Sequence, residues 1–91
     1  TNADLEGANL DSANLGLADL TGANLKDAKL SYAQLYSADL TNADLEDADL
    51  TNANLQYADF TSATVSGADF TGTTWSETRW IDGNLYNTNQ A

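Results

Sequence analysis

Residues 3–15 read ADLEGANLDSANL, and this stretch sets the rule that most of the chain follows. Alanine stands at every fifth position from Ala3 to Ala68, and an apolar residue follows two positions after each alanine. Residues five apart would scatter around an α-helix, which turns about 100° per residue. They would face opposite sides of a strand, where side chains alternate with period two. The backbone must therefore turn once in every five residues, as in a β-solenoid of short strand segments and corners.

The number of five-residue units in each coil is indicated by the outward positions, outside the alanine and leucine series. Identities between outward residues are more frequent at an offset of 20 than at 15, although an offset of 10 scores as well as 20. Coils with four sides accommodate both periods, so stacking at 20 residues is the better interpretation. It predicts two ladders: Thr1, Thr21, Thr41 and Thr61, broken by Ile81, and Asp19, Asp39 and Asp59, ended by Arg79.

The repeated unit also carries a family resemblance. The chain resembles pentapeptide-repeat proteins, and in particular short cyanobacterial members, because several runs match the unit A-[D/N]-L-x-x: Ala3-Asp4-Leu5, Ala8-Asn9-Leu10, Ala13-Asn14-Leu15 and Ala43-Asp44-Leu45. The match is close over residues 1–70 and loose beyond. The resemblance implies an all-β fold, a right-handed quadrilateral parallel β-helix of about four to four and a half coils of 20 residues, with the alanine and the central apolar residue pointing inward.

We expect a single domain over residues 1–91, with regular repeats in 1–70 and degenerate repeats forming a C-terminal cap in 71–91. The predicted core consists of the central residue of each regular repeat: Leu5, Leu10, Leu15, Leu20, Leu25, Leu30, Leu35, Leu40, Leu45, Leu50, Leu55, Phe60, Val65 and Phe70. Repetition along the stack, rather than a thick core, must supply the stability of so short a chain.

The two ends of the repeat differ. After Ala68 the inward alanines give way to Thr73, Thr78, Gly83 and Thr88, while the central series continues as Trp75, Trp80 and Leu85. The two tryptophans are predicted to cap the open end of the core; the alternative is an aromatic docking surface. The N-terminal coil has no comparable cap and leaves a sheet edge uncovered. We expect further residues, another domain or a second copy to cover it, the last as a homodimer.

The charge of the chain limits its partners. Fourteen acidic residues against Lys26, Lys29 and Arg79 give a formal net charge of −11, which argues against direct binding to nucleic acid or anionic membranes. The acidic outer faces serve either solubility or a protein partner. We predict a non-enzymatic structural or protein-interaction module. The family resemblance implies an alternative, an acidic DNA-mimicking regulator that binds DNA gyrase or another basic nucleic-acid-binding protein.

Little in the sequence supports catalysis, a cofactor or a metal. The chain has no histidine or cysteine, and a serine nucleophile needs an activating base, which the outward Ser12, Ser31, Ser37 and Ser66 lack. The ladder of Asp19, Asp39 and Asp59 is the candidate partner-facing acidic surface. Its like charges lie about 5 Å apart if the coils stack in this register, which predicts some elevation of the pKa values or loose cation binding. A straight ladder does not converge on calcium, so no metal site is predicted.

Four tyrosines, Tyr32, Tyr36, Tyr57 and Tyr86, are predicted to point outward. Tyr36 and Tyr57 fall near Leu17 on one side of the coil, where they either form a protein contact site or are ordinary scattered aromatics.

No apolar run is long enough to cross a membrane. Because Thr1 opens in mid-pattern, we expect a processed or trimmed chain or part of a longer protein. The family resemblance implies the cytoplasm, or the periplasm or thylakoid lumen if a signal peptide has been removed, and the sequence does not choose among these compartments.

Overall fold

The chain forms a stack of coils with a period of 20 residues. The computed structural model describes residues 2–91, so Thr1 of the predicted threonine ladder lies outside the described residues. Parallel bridges join residues 20 apart on four successive faces, beginning with Asp4↔Asn24, Asn9↔Lys29, Asn14↔Gln34 and Asp19↔Asp39 and ending with Asp59↔Arg79. The predicted stacking period is therefore confirmed, and with it the termination of the aspartate ladder at Arg79.

Each five-residue unit is a short extended segment followed by a turn. In the unit around Leu20, the Ala23 amide donates to the Leu20 carbonyl at 3.0 Å. Gly22, the second residue inside this turn, has φ of 67°. A turn closed by such a bond, with positive φ at its third residue, is of type II. The Asp19 side chain accepts a hydrogen bond from the Thr21 amide at 3.1 Å, which explains the preference for Asp or Asn before leucine.

Backbone hydrogen bonds hold successive coils together. The Leu25 amide donates to the Asp44 carbonyl at 2.7 Å, and the Asp44 amide donates back to the Ala23 carbonyl at 2.9 Å. This exchange repeats on every face. Because the turn takes two of every five residues, each face contributes a single bridging residue. The extended segments are thus shorter than the strand segments that the period predicts.

The core is a column of side chains inside the coils. The alanines from Ala23 to Ala58 and the central residues from Leu25 to Phe60 are almost completely buried. Leu5, Leu10 and Leu15 are half-buried because they lie in the first described coil and are covered from one side only. Val65 is also half-buried. The register would place Leu85 over Val65, but Leu85 is 52% exposed.

The chain reverses after the last parallel bridge. Strand β1, Thr78–Arg79, pairs antiparallel with strand β2, Leu85–Tyr86. The Gly83 amide closes the intervening turn by donating to the Trp80 carbonyl at 2.9 Å. This reversal removes Leu85 from the central column, so the continuation of the apolar series to residue 85 is wrong.

Two further expectations for the C-terminal residues are also wrong, for the same reason. Tyr86 is half-buried against the core rather than outward, and Thr88 is exposed rather than inward. Both predictions followed the five-residue register, which the antiparallel pairing of β1 and β2 interrupts.

Four aromatic rings fill the C-terminal end of the core. Trp80 packs against Phe60, Phe70 and Trp75, with ring centroids 5.6, 5.2 and 5.0 Å apart. The Phe70 and Trp80 rings meet edge to face, an arrangement that aromatic pairs favour. The Trp75 indole donates to the Thr73 hydroxyl at 2.8 Å. The fully buried Thr78 hydroxyl donates to the Leu55 carbonyl at 2.7 Å. The hydroxyls of Thr73 and Thr78, which replace alanine, are therefore both hydrogen-bonded.

Replacing Leu17 by glycine is expected to stabilise the protein by about 1 kcal/mol, because a non-glycine residue in the left-handed region is strained by about that amount. Leu17 has φ of 65° and is 71% exposed, so little packing is lost. Urea unfolding of Leu17→Gly measures the change. The control is Gln56→Gly at the first turn position. The backbone of Gln56 is not in the left-handed region, so this variant should be less stable than the wild type. Destabilisation of both variants would show that the turn is not strained at Leu17.

Candidate protein-binding surface

The interior of the stack is filled, so the chemistry of this chain is confined to its outer side chains. No ligand-sized cavity opens on the surface formed by residues 2–91. Within the same residues, no cluster of three or more acidic side chains is arranged to hold a metal ion. None of the described residues belongs to a helix with the length and hydropathy needed to span a membrane.

The aspartate ladder, Asp19, Asp39 and Asp59, lies in register on one face. Parallel bridges place these residues on adjacent coils, about 4.8 Å apart. In each coil, the Oδ1 atom of the aspartate accepts a hydrogen bond from the amide two residues further on, at 2.9–3.1 Å. At the C-terminal end, Arg79 Nε lies 4.0 Å from Asp59 Oδ2. The carboxylates therefore stabilise turns as well as presenting charge.

Hydrogen bonding, rather than repulsion, determines the pKa of Asp39. The Thr41 hydroxyl donates to Asp39 Oδ1 at 2.6 Å, and the Thr41 amide donates to the same atom at 3.0 Å. These two bonds hold the pKa of Asp39 below its ordinary value of 3.8, and they outweigh the repulsion from Asp19, which acts in the other direction. The predicted elevation is therefore wrong for Asp39, because the threonine donors favour the charged carboxylate.

The same Asp-x-Thr pair recurs along the chain. Threonine hydroxyls donate to the aspartate two residues earlier in four pairs: Asp39/Thr41, Asp49/Thr51, Asp59/Thr61 and Asp69/Thr71. The Thr51 and Thr71 hydroxyls are the main cause of lowered pKa values at Asp49 and Asp69. Sequence analysis missed these pairs, although the recurrent spacing of Asp and Thr was a visible signal.

Stability should fall in acid because of these pairs. The folded-state pKa values of Asp39, Asp49 and Asp69 lie below their unfolded values, near 3.8. The stabilisation is complete above the unfolded pKa and is lost as the pH falls through the folded one. Thermal melts from pH 7 to pH 2.5 should show a smaller acid decrease in Tm for the triple variant Thr41→Val/Thr51→Val/Thr71→Val than for the wild type.

The control for this experiment is Thr64→Val, which removes an exposed hydroxyl outside the Asp-x-Thr pairs. It should retain the acid dependence of the wild type. Identical acid profiles for the wild type and the triple variant would contradict the assignment of the lowered pKa values to the threonine donors.

Two other polar pairs on the surface each join two side chains. Lys26 Nζ lies 3.6 Å from Glu46 Oε1, and Glu46 raises the pKa of Lys26, although pairs this exposed contribute little stability. The Tyr86 hydroxyl donates to Asp82 at 2.6 Å, which lowers the pKa of Asp82 and raises that of Tyr86.

Four of the six serines were considered as nucleophiles, and they lie on the outer surface of the coils. Ser12 and Ser66 are exposed, and Ser31 and Ser37 are half-buried. The Ser31 hydroxyl donates to Asp49 Oδ2 at 3.2 Å and so links two coils.

Exposed hydrophobic side chains gather at one corner of the stack, which we call the Leu17 corner (residues 16–17, 36–37 and 56–57). Leu17, Tyr36 and Tyr57 are 71%, 45% and 52% exposed, and they occupy three successive coils. The face that follows this corner carries the aspartate ladder. Tyr32, at 62% exposed, lies on a different corner. The structure thus brings together the three hydrophobic residues that the sequence placed on one side.

The model of a family described as pentapeptide repeats matches residues 1–33 and 28–67, with eight copies of the repeat. No curated protein matches the chain significantly.

Solved structures of similar sequence and fold come from plants and cyanobacteria. A pentapeptide repeat protein from the Arabidopsis thaliana thylakoid lumen is 30% identical with a TM-score of 0.66, over 96% of this chain and 68% of that one. One from Nostoc PCC 7120 is 30% identical with a TM-score of 0.60, over 99% and 78%. One from Cyanothece 51142 is 34% identical with a TM-score of 0.55, over 87% and 58%, so this chain spans less than two thirds of that protein.

Proposed function

Because the chain belongs to the pentapeptide repeat family, we propose that it is a non-enzymatic structural or protein-interaction module that binds a protein partner through its outer side chains. The filled interior carries this proposal. The central residues from Leu25 to Phe60 are fully buried against one another, which leaves the outer surface for recognition. Large hydrophobic side chains exposed on a rigid scaffold are typical of protein-contact sites.

The proposal includes the finer architecture. The coils wind to the right and number about four to four and a half, and residues 71–91 cap a single domain with Trp75 and Trp80. Superposition on the Arabidopsis structure supports the winding, and the packing of Trp80 on Phe60 and Phe70 supports the cap.

We propose the thylakoid lumen as one compartment of this chain, which the location of the Arabidopsis relative supports.

Affinity capture from the source organism with four surface variants tests the partner-binding role. Each variant changes one outer region: Leu17→Ser/Tyr57→Ser, Asp19→Asn/Asp39→Asn, Tyr32→Ser, and Glu46→Gln/Asp47→Asn. The expected result is that a specific partner is recovered with the wild type and lost with at least one variant, while thermal melts show that all four variants remain folded. Equal recovery with all four variants would overturn binding through the outer side chains.

The acidic DNA-mimicking alternative rests on the net charge of −11. A DNA gyrase supercoiling assay separates the two functions. Gyrase activity unchanged at micromolar protein would remove the mimic and leave the interaction module.

A second copy stacked on the N-terminal coil is an additional partner that we propose, because Leu5, Leu10 and Leu15 are half-buried there. Sedimentation of a strict monomer at high concentration would overturn this self-association.

A further inference from the structure

The hydrophobic residues of the Leu17 corner are not those that the turns favour. Leu17 and Tyr57 have φ of 65° and 62°, a conformation in which bulky side chains are disfavoured and Gly, Asn or Asp are usual. Some equivalent positions follow that preference, with Gly7, Asn42 and Asp47 among them, whereas Tyr32 on another corner also departs from it. The turn therefore does not account for a leucine and a tyrosine at this corner.

Gly16 provides room for the Tyr36 ring. Unlike Gly7 and Gly22, Gly16 is not in the left-handed region, so its backbone does not require glycine. A Cβ atom at Gly16 would lie 2.9 Å from Tyr36 Cδ1 and 3.2 Å from Cε1. The ring thus lies against the backbone of the neighbouring coil. Tyr36 is 45% exposed, so a large part of its side chain remains open to solvent.

Carboxylates lie on the face that follows the Leu17 corner. Asp19 follows Leu17 by two residues, Asp39 follows Tyr36 by three, and the bridge between Asp19 and Asp39 holds them on adjacent coils. An arginine side chain can bind both the tyrosine ring and the carboxylates, because its planar guanidinium group stacks on aromatic faces and also pairs with carboxylates. An ammonium group lacks the planar fork and binds such a combination less well.

We propose that the Leu17 corner binds an extended basic segment of a partner protein, with an arginine stacked on Tyr36 and paired with Asp39. An apolar side chain of the same segment contacts Leu17 or Tyr57. These two residues lie two coils apart, about 10 Å, a span that three extended residues cover. The inference rests on the proposed partner-binding function, and it assigns the surface and the chemistry of the partner.

Amide chemical shifts of the labelled protein, recorded during titration with a synthetic peptide, test the assignment. The probe is acetyl-Arg-Ser-Leu-Ser-Arg-amide, whose arginine and leucine side chains lie on the same side of an extended chain. The solution contains 150 mM NaCl, which screens weak charge attraction. Shift changes are expected at residues 16–19, 36–39 and 57–59. The matched peptide with lysine in place of arginine is expected to bind about two- to fivefold more weakly.

Two variants of the corner sharpen the test. Tyr36→Ser removes the ring, and Gly16→Ala keeps the ring but displaces it; each should weaken arginine-peptide binding about two- to fivefold. The control Tyr32→Ser changes a tyrosine of similar exposure on another corner and should bind like the wild type. Thermal melts of all three variants verify that the fold is retained.

Several outcomes would overturn the inference: no shift changes at millimolar peptide, changes spread over acidic residues of all corners, or equal binding of the arginine and lysine peptides. The capture experiment keeps the two proposals distinct. Partner loss only with Tyr32→Ser or Glu46→Gln/Asp47→Asn would support the proposed function and contradict this assignment.

Discussion

Phe60→Ala is expected to lower the free energy of unfolding by about 3–5 kcal/mol, the range for removing a buried aromatic side chain. Phe60 is fully buried, and its ring centroid lies 5.9 Å from that of Phe70 and 5.6 Å from that of Trp80. Truncation would leave a cavity beneath the last aromatic layer. The backbone cannot collapse into it easily, because the Phe60 amide donates to the Arg79 carbonyl at 2.7 Å. Urea unfolding followed by circular dichroism measures the loss.

Phe60→Leu is the matched control, because Leu20 and Leu40 occupy the same position in the preceding coils. A leucine fills most of the space, so the expected loss is about 1 kcal/mol. If both substitutions lowered the stability equally, the edge-to-face ring contacts rather than the filled volume would dominate at this end of the core.

The five-residue period predicted the stack because each residue of the unit has a separate physical role. Alanine and leucine fill the interior, and Asp or Asn accepts the turn amide, as Asp19 does from Thr21. Repetition makes these roles visible in the sequence, since the same environment recurs at every corner. The stacking period followed from outward residues such as Asp39, which meets Asp19 on one side and Asp59 on the other.

The features that the sequence did not predict depend on single contacts rather than on the repeat. The chain reverses because Arg79 pairs with Leu85 in an antiparallel bridge, a choice that the apolar series does not encode. The Tyr36 ring needs the absence of a side chain at Gly16, one coil away, and this coupling became visible only in three dimensions. The predicted rise in the pKa of Asp39 was wrong because it considered only the repulsion from neighbouring aspartates such as Asp19 and not the hydrogen bonds that Thr41 donates.

Ala43→Leu is expected to destabilise the protein by about 3 kcal/mol, the upper part of the range for overpacking a core. Ala43 is fully buried, and the backbone around it cannot move outward without breaking bonds to both neighbouring coils. The Ala43 carbonyl accepts from the Thr64 amide at 2.9 Å, and the adjacent Asp44 amide donates to the Ala23 carbonyl at the same distance. Thermal and urea unfolding measure the effect.

Ala3→Leu makes the same chemical change at the first described coil, where the alanine is half-buried and covered from one side only. The added methyl groups can point away from the stack there, so the expected change is within about 0.5 kcal/mol. Two equal losses would mean that alanine is required by the local conformation of the unit rather than by packing between coils. A large loss at Ala43 alone would show that the spacing of the coils fixes the size of this side chain.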